Sequence, residues 1–280
     1  MDNTLGPFLQ SRRARIQPED VGLPPYGRRR VPGLRREEVA QLAGVSVDYY
    51  IRLEQGRGKH VSDAVLDAVA RVLRLDPVEH EHLRDLARPG RTPAARTPGP
   101  SAHVRPGVRL MLDSMRDAPA FVLGRRMDVL AWNDLCGALN GFRPGTTPNM
   151  VREVFQSADA HAFYPEWAAV AAETVAYLRL DAGKHPDDPQ LAALVGELSV
   201  RSEDFRRLWA DHLVKEKTYG VKRLRHPVAG DLELAYETLA LPGDTDQTVV
   251  LYTAPPGSPT ADRLSLLASW SLSPAHPDLP

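Results

Sequence analysis

The chain has 280 residues, 42% of them hydrophobic, with a formal net charge of −1. That length suits about two domains, and no run of ~20 apolar residues is present to span a bilayer. A single cysteine, Cys136, excludes an intramolecular disulfide, and cysteine usage this sparse leads us to expect a reducing, cytoplasmic setting. The first residues also lack the charged-then-apolar layout of an export signal.

Charge is unevenly placed. Residues 1–105 carry 18 Lys/Arg against 13 Asp/Glu, and residues 106–280 carry 17 against 23. A basic front half and an acidic back half predict two domains with different partners, the first suited to a polyanion.

The pattern along the first ninety residues is helical. Leu5, Phe8, Leu9 and Ile16 form a first apolar stripe, followed by the loop GLPPYGRRRVPG. Val39, Leu42 and Ala43 mark a short second helix that Gly44 ends. Ser46 is placed to cap a third helix that turns Tyr50 and Leu53 inward, and Gly56 ends it. Ser62 caps a fourth, with Val65, Val69, Val72 and Leu73 on one side. A fifth covers 77–87 and has proline in its first turn. Residues 88–106, RPGRTPAARTPGPSAHVRP, have no apolar period, and their prolines block a helix, so they read as a semi-stiff tether. The expected organisation is therefore an all-α domain over 1–88, a Pro/Arg-rich linker over 89–106, a second domain over 107–272 and a tail over 273–280.

Beyond the tether the pattern is mixed. A helix is expected around Val108, Leu112 and Met115, then short strands over 120–123 and 127–131. Helices follow over 165–180, 189–199 and 202–212. Strands return over 221–225, 232–241 and 248–253, separated by His226-Pro227, Pro242-Gly243-Asp244 and Pro255-Pro256-Gly257. A last helix runs over 260–270. Strands flanking a helical middle make an α+β domain.

Residues 34–57, LRREEVAQLAGVSVDYYIRLEQGR, carry a motif whose physics is readable. Two short helices crossing steeply need a small residue in the turn, and Gly44 supplies it, with Ala40 one turn earlier. Val39, Val45, Tyr50 and Leu53 are spaced to fill the wedge. Val47, Asp48, Tyr49 and Arg52 then fall on the outer face of the second helix, which in a helix-turn-helix enters the major groove. Chemistry of other kinds is sparse. There is no CxxC, HExxH, GxSxG or phosphate-cradling GxxxxGK[ST]. His80 and His82 are two apart and do not share a helix face. Neither an enzyme, nor a cofactor, nor a metal is expected, and Cys136 reads as a small buried hydrophobe.

The motif resembles the Cro/repressor-like (XRE) family, and more closely its MmyB-like regulators. The resemblance is carried by Gly22-Leu23-Pro24, Arg28-Arg29-Arg30, the run from Pro32 to Ala40, Gly44-Val45-Ser46, Tyr49-Tyr50 and the run from Arg52 to Arg57. It implies binding to a double-stranded DNA operator. Arg36 and Ser46 fall at phosphate-touching positions, Val47, Asp48, Tyr49 and Arg52 at base-reading ones, and Arg57 just past the helix within reach of the backbone. Many relatives place Gln where this chain has Arg36. The Arg28–Arg30 run is expected at phosphate or in the minor groove, and Glu54 pairs with a nearby arginine. Arginine suits guanine best, so Arg52 is the leading specificity residue. A homodimer is expected, because one recognition helix reads few bases.

The rest of the chain resembles the MmyB-like ligand-binding domain, a PAS-like fold. Matching pieces run in order from Leu123–Asn133 through Tyr164-Pro165-Glu166-Trp167, His185–Pro189, Leu194–Ser199 and Phe205–Trp209 to Lys222–Pro227, Tyr236–Leu239 and Tyr252-Thr253-Ala254. The family implies a small apolar ligand, a fatty acid being the precedent. Trp132, Phe155, Trp167, Phe205, Trp209 and Tyr236 are the aromatics available to wall a cavity, with Arg201 or His226 to meet an acidic head group. The alternative is that these aromatics are ordinary core and the domain serves only dimerisation or protein interaction.

Overall fold

The structure is a computed structural model and describes residues 5–24, 32–57, 61–88, 103–215 and 218–271. The chain divides into two compact units. The first comprises Met1–Ala95 with Arg179–Gln190 and Arg207–Glu216, and the second Arg96–Leu178, Leu191–Arg206 and Lys217–Pro280.

The first unit opens with five helices: α1 (Leu5–Arg13), α2 (Arg36–Ala43), α3 (Val47–Glu54), α4 (Asp63–Val72) and α5 (Pro77–Ala87). Their ends follow the local chemistry. Ser46 caps α3 by accepting from Tyr49 N–H, Ser62 caps α4 by accepting from Val65 N–H, and Asp76 and Glu79 form a reciprocal capping box at α5. Leu5, Phe8, Leu9, Leu34, Val39, Tyr50, Leu53, Leu66, Val69 and Leu83 are buried together. Two glycines admit close approach. A Cβ on Gly6 of α1 would lie 2.3 Å from the carbonyl oxygen of Glu54, and one on Gly33 would lie 2.2 Å from that of Arg13.

The remaining elements are α6 (Pro106–Ser114), β1 (Ala120–Leu123), β2 (Val129–Trp132), α7 (Asp134–Asn140), α8 (Met150–Phe155), α9 (Ala160–Phe163), α10 (Trp167–Lys184), α11 (Pro189–Arg201), α12 (Glu203–Ala210), β3 (Tyr219–His226), β4 (Gly230–Ala240), β5 (Thr248–Thr253) and α13 (Pro259–Ser271). All strand pairs are antiparallel, in one five-stranded sheet of order β2-β1-β5-β4-β3. This is the expected α+β, PAS-like layout. The second strand begins at Val129 rather than 127, because 125–127 turn as a short 3-10 helix. β1 is buried at every position. β3 and β4 alternate, with Leu224, Leu232, Leu234 and Tyr236 buried and Tyr219, Val221 and Leu239 exposed, the pattern of strands wet on one face. Val108 and Leu112 of α6 join Ala120, Val122, Ala131 and Val249 in one apolar cluster.

Candidate nucleic-acid interface and ligand cavity

Gly44 ends α2 at φ 69°, a left-handed conformation that glycine adopts without strain. The chain turns there, and Val45 N–H donates back to Ala40 O at 3.0 Å. The third helix leaves the turn with Asp48, Arg52, Gln55 and Arg57 exposed at or just past its length and Tyr49 half-exposed. Val47 is half-buried and packs against the core, so it offers less outward surface than its helical position implied. Among the described residues neither Asp48, Arg52 nor Arg57 forms a side-chain ion pair or hydrogen bond. Ser46 Oγ accepts from Tyr49 N at 3.2 Å, which leaves its own hydrogen to be donated elsewhere.

Arg36 is committed within the protein. Its Nε donates to Glu54 Oε2, while Arg13 Nε donates to Glu54 Oε1 at 3.3 Å. The Glu54 side chain is 1% exposed and that of Arg36 43%. Arg13 also donates from Nη1 to Leu34 O at 2.5 Å. The carboxylate thereby joins the end of α1, the start of α2 and the end of α3. Arg28, Arg29 and Arg30 lie outside the described residues.

The second unit contains a partly open cavity of about 810 Å³. Its wall comes from the end of α7 (Ala138, Leu139, Phe142 just beyond), from α8 and α9 (Met150, Glu153, Ala160, Phe163, Tyr164), from the β3–β4 turn (Arg225 to Val228) and from Leu267 and Trp270 of α13. Polar side chains are few: Asn140, Glu153, Ser157, Asp159, Arg225 and His226, with the Tyr164 phenol and the Trp270 indole. Burial pushes the Glu153 carboxyl up from its ordinary value and the His226 imidazole down.

Residues 104–267, more than half of the chain, match the family described as MmyB-like transcription regulator ligand binding domain. Residues 4–83 match a helix-turn-helix domain. The chain belongs to the MmyB-like transcription regulators. No curated protein matches it. The family is one of DNA-binding transcription regulators rather than enzymes, and no helix among the described residues is long and apolar enough to cross a membrane.

Of the eight side chains the sequence offered to this MmyB-like regulator for ligand binding, His226 alone is on the cavity wall. Trp132 stands one ring behind it, edge-on to Phe142 at 5.4 Å. Phe155 joins Trp167 at 5.8 Å and Phe205 at 5.2 Å in an aromatic cluster, with Trp167 Nε1 donating to Val154 O. Tyr236 is buried edge-on to Tyr252 at 6.4 Å. Arg201 is exposed beside Glu197. Trp209 belongs to the first unit, where the Arg179 guanidinium covers its ring at 4.0 Å. The wall residues that sequence reasoning missed are spread over the end of α7, the β3–β4 turn, α13 and the helices α8 and α9, the last two too short to show a period. One signal was available. Asn149 precedes α8 and its Oδ1 accepts from Val151 and Arg152 N–H at 3.1 Å each, the chemistry of an N-cap.

The other groups noted in the sequence have ordinary surroundings. His80 Nε2 lies 3.0 Å from Asp67 Oδ1, and His82 is buried edge-on to Phe8 at 5.1 Å. Cys136 is fully buried, and burial raises its thiol well above the usual range.

Proposed function

We propose that this regulator works in the cytoplasm as a homodimer on a two-fold operator, and that a small apolar ligand in the second unit alters its DNA affinity. The observation that carries the sensory half of this reading is the cavity of about 810 Å³ whose wall, apart from Trp270, lies in the segment that matches the ligand-binding family. That volume lies in the ~300–1,000 Å³ range of small-molecule sites, and its largely apolar wall suits a chain of fatty-acid size.

On the DNA, α3 enters the major groove. Arg52 reads a base, with Asp48 and Tyr49 beside it. Val47 contributes through its exposed part. Ser46, Arg57 and the Arg28–Arg30 loop hold phosphate. The exposure of Arg52 and its lack of a side-chain partner among the described residues support the first role, and guanine offers arginine two acceptors in the groove. Two copies of α3 would then sit ~34–36 Å apart on one face of the duplex.

Two measurements test this. The protein as purified is denatured and its extract analysed by mass spectrometry for a stoichiometric small molecule. Operator affinity is then measured with and without that molecule. The expected coupling is ~1–3 kcal/mol. An empty domain that binds nothing from a metabolite library would instead leave the second unit as a dimerisation or protein-interaction module. A monomer protecting a single half-site in footprinting would overturn the dimer.

A further inference from the structure

We propose that the cavity of the second unit takes an apolar molecule whose polar end is a basic amine, held by the Glu153 carboxylate, rather than the carboxylic acid that the family resemblance implies. The inference rests on reading that cavity as the sensory site.

A bound carboxylate needs a cation to offset its charge, since the Ser157 and Tyr164 hydroxyls on the wall can donate but carry none, and the wall's basic side chains are Arg225 and His226. His226 is already spent. Its Nδ1 accepts from Val228 N–H at 3.2 Å and Ala229 N–H at 3.0 Å. An Nδ1 that accepts two hydrogens carries none, so the ring hydrogen is on Nε2, which faces Ala138 O at 3.2 Å. The ring therefore ties the β3–β4 turn to α7 as a neutral imidazole with no hydrogen left for a ligand. Arg225 is mostly exposed, and its Nε is 2.9 Å from Asp231 Oδ1.

Glu153 is in the opposite situation. It is half-buried on α8, lines the cavity, and makes no side-chain hydrogen bond or ion pair among the described residues. Its charge opposes ionisation of the buried Tyr164 phenol on the same wall. Asp159, likewise without a side-chain partner among the described residues, adds a second negative charge. A desolvated carboxylate with no partner is costly, and an ammonium group relieves that cost while a second carboxylate adds repulsion. Alkyl chain and ammonium together match the apolar wall and its one unpartnered, half-buried acid.

The test uses the full chain and three probes of equal chain length: dodecylamine, dodecanol and dodecanoate, titrated below their micelle concentrations by calorimetry. Dodecylamine is expected to bind at least about tenfold more tightly than dodecanoate. Glu153→Gln keeps the shape without the charge and should weaken the amine about tenfold while leaving dodecanol unchanged. Ala162→Trp, at an exposed position on the cavity wall, should weaken all three by filling the space. Dodecanoate binding as tightly as the amine, or a Glu153→Gln protein that holds the amine undiminished, would overturn the proposal and leave the sensory cavity standing. If none of the three binds, the sensory reading of the cavity falls and the amine with it.

Discussion

Arg13 and Glu54 are the last residues of two different helices, α1 and α3, and Arg13 Nε reaches Glu54 Oε1 at 3.3 Å inside the first unit. Arg36 completes the arrangement on the other carboxylate oxygen. Removing the acid leaves a nearly buried guanidinium without its counter-charge, and loss of one member of a buried pair is costly. Glu54→Ala is expected to destabilise the helix-turn-helix by about 2–4 kcal/mol, the lower part of that range because Arg36 keeps contact with water. Chemical denaturation checks it, and a loss within experimental error of zero would mean that the ion pair is only decorative. Arg36→Ala should lower stability through the loss of its bond to Glu54, and a loss of DNA affinity beyond that would mark it as a phosphate contact as well, the position the family resemblance implies.

Arg52 separates those two effects. It is exposed on α3 and its side chain has no hydrogen bond or ion pair among the described residues, so Arg52→Ala is expected to change stability by less than ~0.5 kcal/mol. On its operator the same substitution should cost ~1–3 kcal/mol and relax the preference at one base position. Fluorescence anisotropy on operator and random duplexes distinguishes the outcomes. An equal loss on both would make Arg52 a phosphate contact.

The helix-turn-helix was legible because its determinants are local. Gly44 must adopt positive φ, Ser46 must cap, and Tyr50 and Leu53 must face inward, all within a dozen residues. The sheet was legible for the same reason, since alternation in β3 and β4 is written residue by residue. The cavity was not. Its wall joins α7, α8, α9, a strand turn and α13 across more than a hundred residues, and no period in the sequence records which surfaces meet. Aromaticity was a poor guide, because Phe155, Trp167 and Phe205 satisfy one another. Smaller residues such as Ala138, Ala160 and Ala162 make the space by leaving it open. Asn133, the N-cap of α7, does more than cap.

That asparagine is buried where β2 gives way to α7. Its Oδ1 accepts from Cys136 N–H at 2.9 Å and Ala120 N–H at 3.1 Å, and its Nδ2 donates to Met115 O at 2.6 Å and Ala118 O at 2.8 Å. All the capacity of the amide is used, tying α6, β1 and α7 together. Asn133→Leu has similar bulk but leaves two buried N–H groups without this acceptor, each costing about 1–3 kcal/mol. The expected destabilisation is about 3 kcal/mol. Asn133→Asp should be no milder, since it keeps both accepting bonds but sets a buried carboxylate oxygen against the two carbonyls that Nδ2 had served. Thermal unfolding of the two variants beside the parent checks this, and an aspartate variant close to the parent would show that the donated bonds matter little.

Acid should weaken the first unit before ordinary carboxylates titrate. His82 is 2% exposed, and burial, with Arg179 and Arg12 adding positive charge nearby, lowers its pKa from 6.5 to about 3. His212 is lowered to about 4 by burial and the same two arginines. A histidine whose pKa is depressed on folding binds its proton more readily in the unfolded chain. Its contribution is therefore fully present above pH 6.5, the unfolded value, and is lost as the pH falls towards the folded values. The linkage slope approaches ~1.4 kcal/mol per pH unit for each group once the unfolded form is protonated. Gly183 is part of the same constraint, because a Cβ there would sit 2.5 Å from the His82 ring, so the imidazole has little room to turn towards water. Denaturant midpoints measured from about pH 7 down to about pH 5 should fall steadily in a window where most carboxylates stay ionised. His82→Asn removes one of the two titrating groups and should flatten the slope by about half, whatever it does to stability at neutral pH. A profile that stays as steep in that variant would place the acid sensitivity elsewhere in the chain.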